Sequence, residues 1–241
     1  MISVCLASYN GSKYIEEQIR SILKQIGIDD ELIISDDGSS DNTIDIIKSF
    51  GDERIKLFIN QGEHGFVNNF ENSLHFANGD FIFLADQDDV WVDGRVEKTI
   101  QKFKEGYDFV YVDCMTTDSK LNVINNSRIE SQKIKTGFFY NLIKNRYLGC
   151  CMAFDKKVLK VILPFPKKHK IMEHDTWIAL ICNRYFKTYI LNEPLIMYRR
   201  HTDNVSSGGF KNNSNILELV YKRVYRYIEV EKRKKYIICM K

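Results

Sequence analysis

Residues 81–91 read FIFLADQDDVW, and the reading of this stretch decides the fold. Phe81 to Ala85 form a continuous apolar run, the pattern of a short strand buried on both faces of a parallel sheet. Three carboxylates, Asp86, Asp88 and Asp89, then crowd its carboxyl end, where open α/β sheets bind their ligands. Aspartate is common in turns, so a solvated turn is the plain alternative. A third carboxylate and the flanking Trp91 weigh against it, because like charges this close destabilise one another without a cation or hydrogen bonds to compensate. A hard divalent cation with oxygen ligands would relieve that repulsion.

The same strand pattern recurs upstream. Residues 2–8 and 31–37 read as strands, 10–25 and 41–50 as helices, then 54–60 as a strand and 66–77 as a helix. Helix 10–25 is expected to open at a cap-like Asn or Ser, and helix 41–50 at Asp41 or Asn42. Three strand–helix units in succession predict parallel strands with right-handed crossovers, hence an α/β fold with a mostly parallel central sheet flanked by helices. Beyond residue 107 the regularity fails. Residues 107–115 predict another strand, 150–162 mix strand and helix signals, and 175–186 predict a helix. Residues 187–201 read as two extended segments broken at Pro194, and the chain from Asn215 is helical, basic and rich in Tyr. No internal repeat or low-complexity linker interrupts this order.

Bulk properties exclude several classes. A chain of 241 residues can bury a real core in one large domain, or one domain and an appendage. A net charge of +3 is too mild to argue for nucleic acid, and no basic run interleaved with aromatics precedes the C-terminus. The six cysteines, at positions 5, 114, 150, 151, 182 and 239, show no CxxC spacing and sit mostly among apolar neighbours, as reduced thiols of a cytosolic protein do. The N-terminal MISVCLASYN begins directly with a strand and lacks the charged region and cleavage site of a signal peptide. No apolar run approaches the ~20 residues that span a bilayer.

A second carboxylate cluster lies in IISDDGSSDNT, residues 33–43, again at a strand's carboxyl end. Gly38 permits the turn, and Ser39 to Asn42 can satisfy the free N–H groups of the next helix. One carboxylate suffices for a turn, so Asp36 and Asp37 together ask for more. An Asp here can accept from a pyrimidine N3–H or a ribose hydroxyl. In ASYNG, residues 7–11, Tyr9 ends the first strand just before a turn, where its ring can stack on a base; a core Tyr is the plain alternative. The glycines match neither GxGxxG nor GxxxxGK[ST], which removes a Rossmann dinucleotide site and a P-loop.

ASYNG, SDDGSSDNT and ADQDD, in this order and spacing, resemble the nucleotide-sugar-dependent glycosyltransferases of family 2, and among them the bacterial rhamnosyltransferase-like members. The resemblance covers roughly residues 1–205 and implies the GT-A fold: a Rossmann-like nucleotide-binding half (1–106), an acceptor-binding half (107–210) and a helical tail (211–241). It implies that Tyr9 and Asp37 hold the base, with Asp36 beside them and Ala7 offering backbone contacts only. Asp86 and Asp88 match the ends of the family's Asp-x-Asp motif, Asp88 as ligand of Mn2+ or Mg2+ and Asp86 nearer the ribose or sugar. His201, in YRRHTDN, is implied as a further metal ligand. Where relatives carry a basic residue in the helix after strand three, this chain has Asn68, which leaves diphosphate neutralisation to the metal or to Arg199 and Arg200.

Asp175, in MEHDTWIAL, stands where the family has its general base, preceded by Glu173 and His174; an N-cap is its plain role. The chemistry needs such a group, because an acceptor hydroxyl is a poor nucleophile until a base takes its proton. YLGCCMAF, residues 147–154, resembles the segment lining the acceptor pocket, which implies acceptor contacts at Gly149 and Cys150, with Glu173 and His174; Cys150 and Cys151 read as packing rather than as nucleophiles. Residues 206–209 are expected to form a mobile lid. The QxxRW motif and membrane helices of processive members are missing, so a single inverting transfer per encounter is expected.

The implied donor is dTDP-rhamnose or a UDP-hexose. The implied acceptor is a glycan or lipid-linked oligosaccharide in bacterial surface polysaccharide synthesis, at the inner face of the membrane. Two other classes compete: a nucleotidyltransferase acting on sugar phosphates, which ASYNGSKY suits poorly with its single Gly and Lys13, and a non-catalytic nucleotide-sugar-binding protein, which has no use for a base. A receiver-like phosphoacceptor is excluded by the acidic pair following strand two. In the tail, Ile216, Leu217, Val220, Val224, Tyr227 and Ile228 fall at helical spacing, with Lys222, Arg223, Arg226, Lys232, Arg233, Lys234 and Lys235 around that stripe. That pattern suits a helix packed on the domain, a subunit contact, or an anchor to an anionic membrane surface.

Overall fold

The structure, a computed structural model, describes residues 1–202, 204 and 215–239; the segment expected to form a lid lies outside them. The chain alternates β1 (Ile2–Ser8), α1 (Ile15–Leu23), β2 (Glu31–Asp36), α2 (Thr43–Ser49), β3 (Ile55–Ile59), α3 (Phe66–His75) and β4 (Phe81–Asp86). There follow β5 (Val90–Trp91), α4 (Arg95–Lys104), β6 (Phe109–Thr117), β7 (Val123–Asn125), α5 (Arg128–Gln132) and α6 (Phe138–Ile143). A 3-10 turn at Gly149–Cys151 leads into β8 (Met152–Asp155), then α7 (Leu159–Ile162), α8 (His174–Tyr185), β9 (Thr188–Arg199), α9 (Ile216–Lys232) and α10 (Lys234–Ile238).

All described strands join one sheet in the order β3-β2-β1-β4-β8-β6-β9-β5, with β7 against β6. β1 to β4 are mutually parallel, as three consecutive strand–helix units require. The apolar runs of β1, β2 and β4 are buried on both faces, with Val4, Leu6, Leu32, Ile34, Ile82 and Leu84 showing no exposed surface, while β3 at the sheet's edge is only partly covered. The register places Ser8 opposite Asp36 and Ala7 opposite Asp86, so the three carboxyl ends are level and their turns adjoin. β8 runs antiparallel to β4, and β6, antiparallel to β8, returns to the direction of β1 to β4 and is parallel to β9.

Three expectations are corrected. The helix expected over 10–25 begins only at Ile15, because Asn10 adopts a positive φ of 46° and the Gly11 and Ser12 N–H groups donate to Thr43 Oγ1 and Asp41 Oδ2; residues 10–14 are a loop sewn to its neighbour. Residues 187–201 hold one strand rather than two: Pro194 sits where the β6 ladder shifts register, the kind of irregularity at which a strand tolerates a residue without an N–H. The apolar stripe of the tail helix faces outward. Ile216, Leu217, Val220, Val224, Tyr227 and Ile228 are 41–76% exposed, while Val230 is buried and Arg226 and Arg233 donate to the carbonyls of Ile171 and Leu163. α9 packs on α6 and α8 through Val230, the partly buried Tyr225, and Tyr227, whose ring lies 6.2 Å from that of Phe138. Segment 150–162 carried both signals because it holds a strand and two short helical turns in series. The six cysteines are free thiols, five of them buried. No helix among the described residues is long and apolar enough to cross a membrane.

Candidate active site

The loops after β1, β2 and β4 are stitched into one rim. Gln87 donates from Nε2 to the Tyr9 carbonyl and accepts the Tyr9 N–H at Oε1, both at 2.9 Å. This clamp needs a glycine two residues on, since a Cβ on Gly11 would lie 2.2 Å from Gln87 Oε1. Asn10 links to the second loop, donating its N–H to Ser39 Oγ and accepting from Ser40 N–H, each at 2.8 Å. Tyr9 is held by its backbone while its ring is 55% exposed at the rim.

Asp36 and Asp37 divide their work. Asp36 is fully buried and accepts from Ser8 Oγ, Gly38 N–H and both the N–H and Oγ of Ser39; it builds the turn. Asp37 accepts from Asn60 Nδ2 and Gly65 N–H at 2.7 Å, and His64 Nδ1 lies 3.2 Å from its carboxylate. Those donors fix its orientation at the crevice. Asn68 is half-buried and donates to the His64 carbonyl at 3.3 Å, while its neighbour Asn69 ties β1 to β2 by donating to the Ser8 carbonyl and accepting from Ser35 Oγ. Ala7 contributes only its ladder positions between Ser35 and Asp86.

At the end of β4 the carboxylates diverge. Asp88 Oδ2 lies 2.8 Å from His201 Nε2 and accepts from Asn204 Nδ2 at 2.9 Å. Asp89 is fully buried; one oxygen accepts the Arg199 N–H at 3.0 Å and the other has no partner among the described residues. Burial first, then the charges of Asp88 and Asp86, hold the Asp89 carboxyl well above its usual range. Burial, then Asp88, also raises Asp86 to about 7. Asp86, Asp89 and the Cys150 thiol place one ligand atom each within 4.8 Å of one another.

Beneath this turn lies Arg95, fully buried, donating to the Cys150 carbonyl at 2.6 Å with its guanidinium 4.4 Å from the Trp91 ring. Arg199 was expected at the diphosphate. It is 3% exposed, and its guanidinium donates to the carbonyls of Asp88 and Ser119 and to the Glu17 carboxylate, bracing the turn from behind. Arg200 follows on the surface side, half-buried and donating to Tyr198 Oη at 3.2 Å.

Across the crevice, α8 presents Asp175. Glu173 is the N-cap and makes no side-chain cap, so Asp175 falls inside the first turn, where its carboxylate accepts the Thr176 N–H. Burial raises it to about 7, with the Glu173 charge adding to the rise, and its charge in turn is felt at Asp86. Glu173 keeps an exposed edge, and the partial desolvation of its carboxyl raises it, against the opposing charge of Arg226. His174 points inward instead: it stacks on Phe70 at 4.2 Å, neither ring nitrogen has a partner among the described residues, and burial pushes it down to about 3. Gly149 makes room for that ring, since a Cβ there would lie 2.4 Å from His174 Nε2. Gly149, Cys150 and His174 were expected to touch the acceptor, and the structure sets all three in the core behind the crevice.

Sequence reasoning passed over Gln87, Asn60, Asn204, Glu17 and Arg226. Gln87 and Asn204 lie inside motifs already singled out, and their amide type was the available signal. Arg226, whose charge is felt at both Glu173 and Asp175, comes from the tail helix and gave none.

A mostly parallel sheet with acidic loops level at its carboxyl ends, facing a carboxylate on a later helix, is the GT-A architecture of glycosyltransferases. The chain matches the model for glycosyl transferase family 2 over residues 3–163 and belongs to that family. It is 30% identical over 214 residues, 88% of this chain and 81% of the relative, to the UDP-Glc:alpha-D-GlcNAc-diphosphoundecaprenol beta-1,3-glucosyltransferase WfgD of Escherichia coli. To the dTDP-rhamnosyl transferase RfbG of Shigella flexneri it is 28% identical over 242 residues, 92% and 81% of the two chains. Its fold is similar to S. aureus TarS 1-349 in complex with UDP-GlcNAc, with a TM-score of 0.70 at 17% identity, covering 98% of this chain and 70% of that one. It is also similar to glucosyl-3-phosphoglycerate synthase from Mycobacterium tuberculosis in complex with Mn2+ and UDP, with a TM-score of 0.61 at 19% identity, covering 97% and 79%.

Proposed function

We propose that this glycosyltransferase moves one sugar, with inversion, from a nucleoside-diphosphate sugar to a hydroxyl of a lipid-linked diphosphate glycan at the inner membrane face. Residues 1–106 would serve the donor and 107–210 the acceptor. The observation that carries the reading is Asp175: a carboxyl group raised to about 7, on a helix facing the acidic end of β4. A base poised near neutrality takes a hydroxyl proton most effectively. The relatives named above, which use UDP-glucose or dTDP-rhamnose, support the donor class, and WfgD supports the diphosphate-linked acceptor.

The side chains fit a divalent cation at one place and not at another. Asp88 Oδ2 and His201 Nε2, 2.8 Å apart with Asn204 beside them, form an oxygen and imidazole set of the kind Mn2+ or Mg2+ accepts. The Asp86, Asp89 and Cys150 group suits it less: a thiol is a poor partner for a hard cation, and Asp89 and Cys150 have no exposed surface. Asp88 and His201 would therefore hold the ion, which when bound neutralises the donor diphosphate. Tyr9 would stack on the base and Asp37 accept its ring N–H. Asp86, protonated over part of the neutral range, can donate to a sugar or ribose hydroxyl.

Asp175 would accept the acceptor's hydroxyl proton as that oxygen forms its bond to the anomeric carbon. The bond from that carbon to the diphosphate breaks with its electron pair leaving on the nucleoside diphosphate. One displacement inverts the configuration. Incubating the enzyme with a panel of nucleotide sugars, Mn2+ and a GlcNAc-diphosphate carrying a long alkyl chain should release nucleoside diphosphate and give a product whose anomeric proton reports inversion by NMR. A retained configuration would overturn the mechanism, and donor turnover with no lipid-linked product would overturn the acceptor.

A further inference from the structure

Beside the start of α8, α6, the segment after it and α9 form a recess of about 350 Å3 lined by Ile143, Lys144, Asn145, Lys222, Arg223 and Arg226 among others. Four cations converge there. Lys222 pairs with Glu218 on its own helix at 2.6 Å, and Arg226 is influenced by Glu173 and Asp175. Lys144 and Arg223 have no carboxylate within ion-pair distance among the described residues; Arg223 donates only to the Ile143 carbonyl, at 3.4 Å. Like charges gathered in a recess disfavour one another until an anion joins them. The cavity also borders the base: Asn145 in its wall donates to Thr176 Oγ1 at 3.2 Å, one residue beyond Asp175.

We propose that this cavity receives the diphosphate that joins the acceptor glycan to its lipid, so that the acceptor is recognised by charge beside the base. The inference rests on the lipid-linked acceptor proposed above and assigns its binding residues. A diphosphate offers several acceptor oxygens to Arg223, Lys144 and Lys222, in the charge-assisted geometry guanidinium and ammonium groups favour. A hydroxyl of the sugar next to the diphosphate would then lie toward Asp175. The same two helices carry exposed apolar side chains, Phe139 and Ile143 on α6 at 64% and 61%, and Val220 and Val224 on α9 at 48% and 50%. An isoprenoid leaving the cavity would run over them.

The test is direct binding to the full chain, in EDTA so that no metal assists, with farnesyl diphosphate, farnesol, inorganic pyrophosphate and phosphatidylglycerol vesicles as probes. Farnesyl diphosphate should bind more tightly than inorganic pyrophosphate and far more tightly than farnesol. Lys144→Ala combined with Arg223→Ala should weaken it at least tenfold while UDP binding with Mn2+ stays unchanged, which also shows the variant is folded. Binding unaffected by the double variant, or displaced by excess UDP, overturns the proposal. Pyrophosphate binding as tight as farnesyl diphosphate makes the cavity a free-anion site and overturns the lipid assignment. Vesicles bound as well as farnesyl diphosphate, with both lost in the variant, make the cluster a membrane anchor instead. Transfer to a lipid-linked acceptor that the variant leaves unchanged sinks the cavity's role alone. Farnesyl diphosphate bound through these residues, with no transfer to any lipid-linked acceptor, sinks the proposed acceptor alone.

Discussion

Asp88 and Asp175 are the same side chain in opposite surroundings. Asp88, at the end of β4, is met by His201 and Asn204 and backed by Arg199, whose guanidinium donates to its carbonyl. Asp175, at the start of α8, has one backbone donor, a neighbouring carboxylate and a largely desolvated carboxyl group; Arg226 offsets only part of this, and the group is raised to about 7. Donors and cations around a carboxylate favour the charge, and burial without them disfavours it. The first arrangement sets a carboxylate oxygen beside an imidazole nitrogen, as a cation site needs; the second suits a group that takes up a proton and releases it. Two environments thus separate ligand binding from base catalysis within one crevice.

The comparison breaks most visibly at the base. Asp175→Asn keeps shape and removes the proton acceptor, so transfer should fall ~10²–10⁴-fold, the usual worth of a general base. Donor binding, followed by UDP titration with Mn2+, should be unchanged. In the wild type, kcat should rise with pH through about 7 as Asp175 ionises, and that limb should vanish from the residual activity of the variant. A variant within threefold of wild type would remove Asp175 from the mechanism.

At the other end, Asp88→Asn should lower transfer by about 10², the scale of losing a charged ligand and the stabilisation it supports. Here, unlike in Asp175→Asn, the loss should be eased by raising Mn2+, and Mn2+-dependent UDP binding should weaken with it. Metal-independent UDP binding that matches wild type together with full activity would contradict the ligand role. Arg199→Met tests the bracing behind the turn. It strands the Asp88 and Ser119 carbonyls without donors, so a loss of about 3 kcal/mol in urea unfolding is expected. An unchanged midpoint would show that the turn holds itself.

How far these arrangements were legible follows from the range of the contacts. The strands β1, β2 and β4, and the acidic ends of β2 and β4, could be read locally, because each is a largely apolar run stopped by a polar turn. The division of labour between Asp36 and Asp37 could not, since it depends on Asn60 and Gly65, more than twenty residues away. α4 went unread because Val96, Thr99 and Phe103, its buried face, are diluted by charged residues and by Arg95, a cation that is itself buried. β9 was split in two because Pro194 signals a break, and only the register shift on β6 shows why the strand survives it. In the tail the apolar stripe was read correctly as a stripe, but which face meets the domain was decided by Arg226 and Arg233 reaching carbonyls of distant segments. The His201 partnership with Asp88, 113 positions away, was visible only through family resemblance.

The smallest effect concerns two neighbours on α8 that mask one another. Burial holds Asp175 protonated up to about 7 and His174 unprotonated down to about 3. In the unfolded chain the values revert to roughly 3.9 and 6.5. Between about pH 4 and 6.5 the unfolded pair therefore binds one proton, on His, and the folded pair also binds one, on Asp. Stability changes with pH according to the difference in protons bound, so the pair contributes no slope across this window. Asp175→Asn unmasks the His: the unfolded state then binds the extra proton, and stability should rise with pH relative to wild type. His174→Gln unmasks the Asp: the folded state holds the extra proton, and stability should fall as pH rises. From pH 4.5 to 6.0 each variant should diverge from wild type by about 2 kcal/mol, in opposite directions. Urea unfolding at the two pH values measures it, and comparing each variant with wild type cancels every other titrating group. Parallel curves for all three proteins would mean that neither side chain is as buried as this packing has it, and Asp175 would lose the surroundings that distinguish it from Asp88.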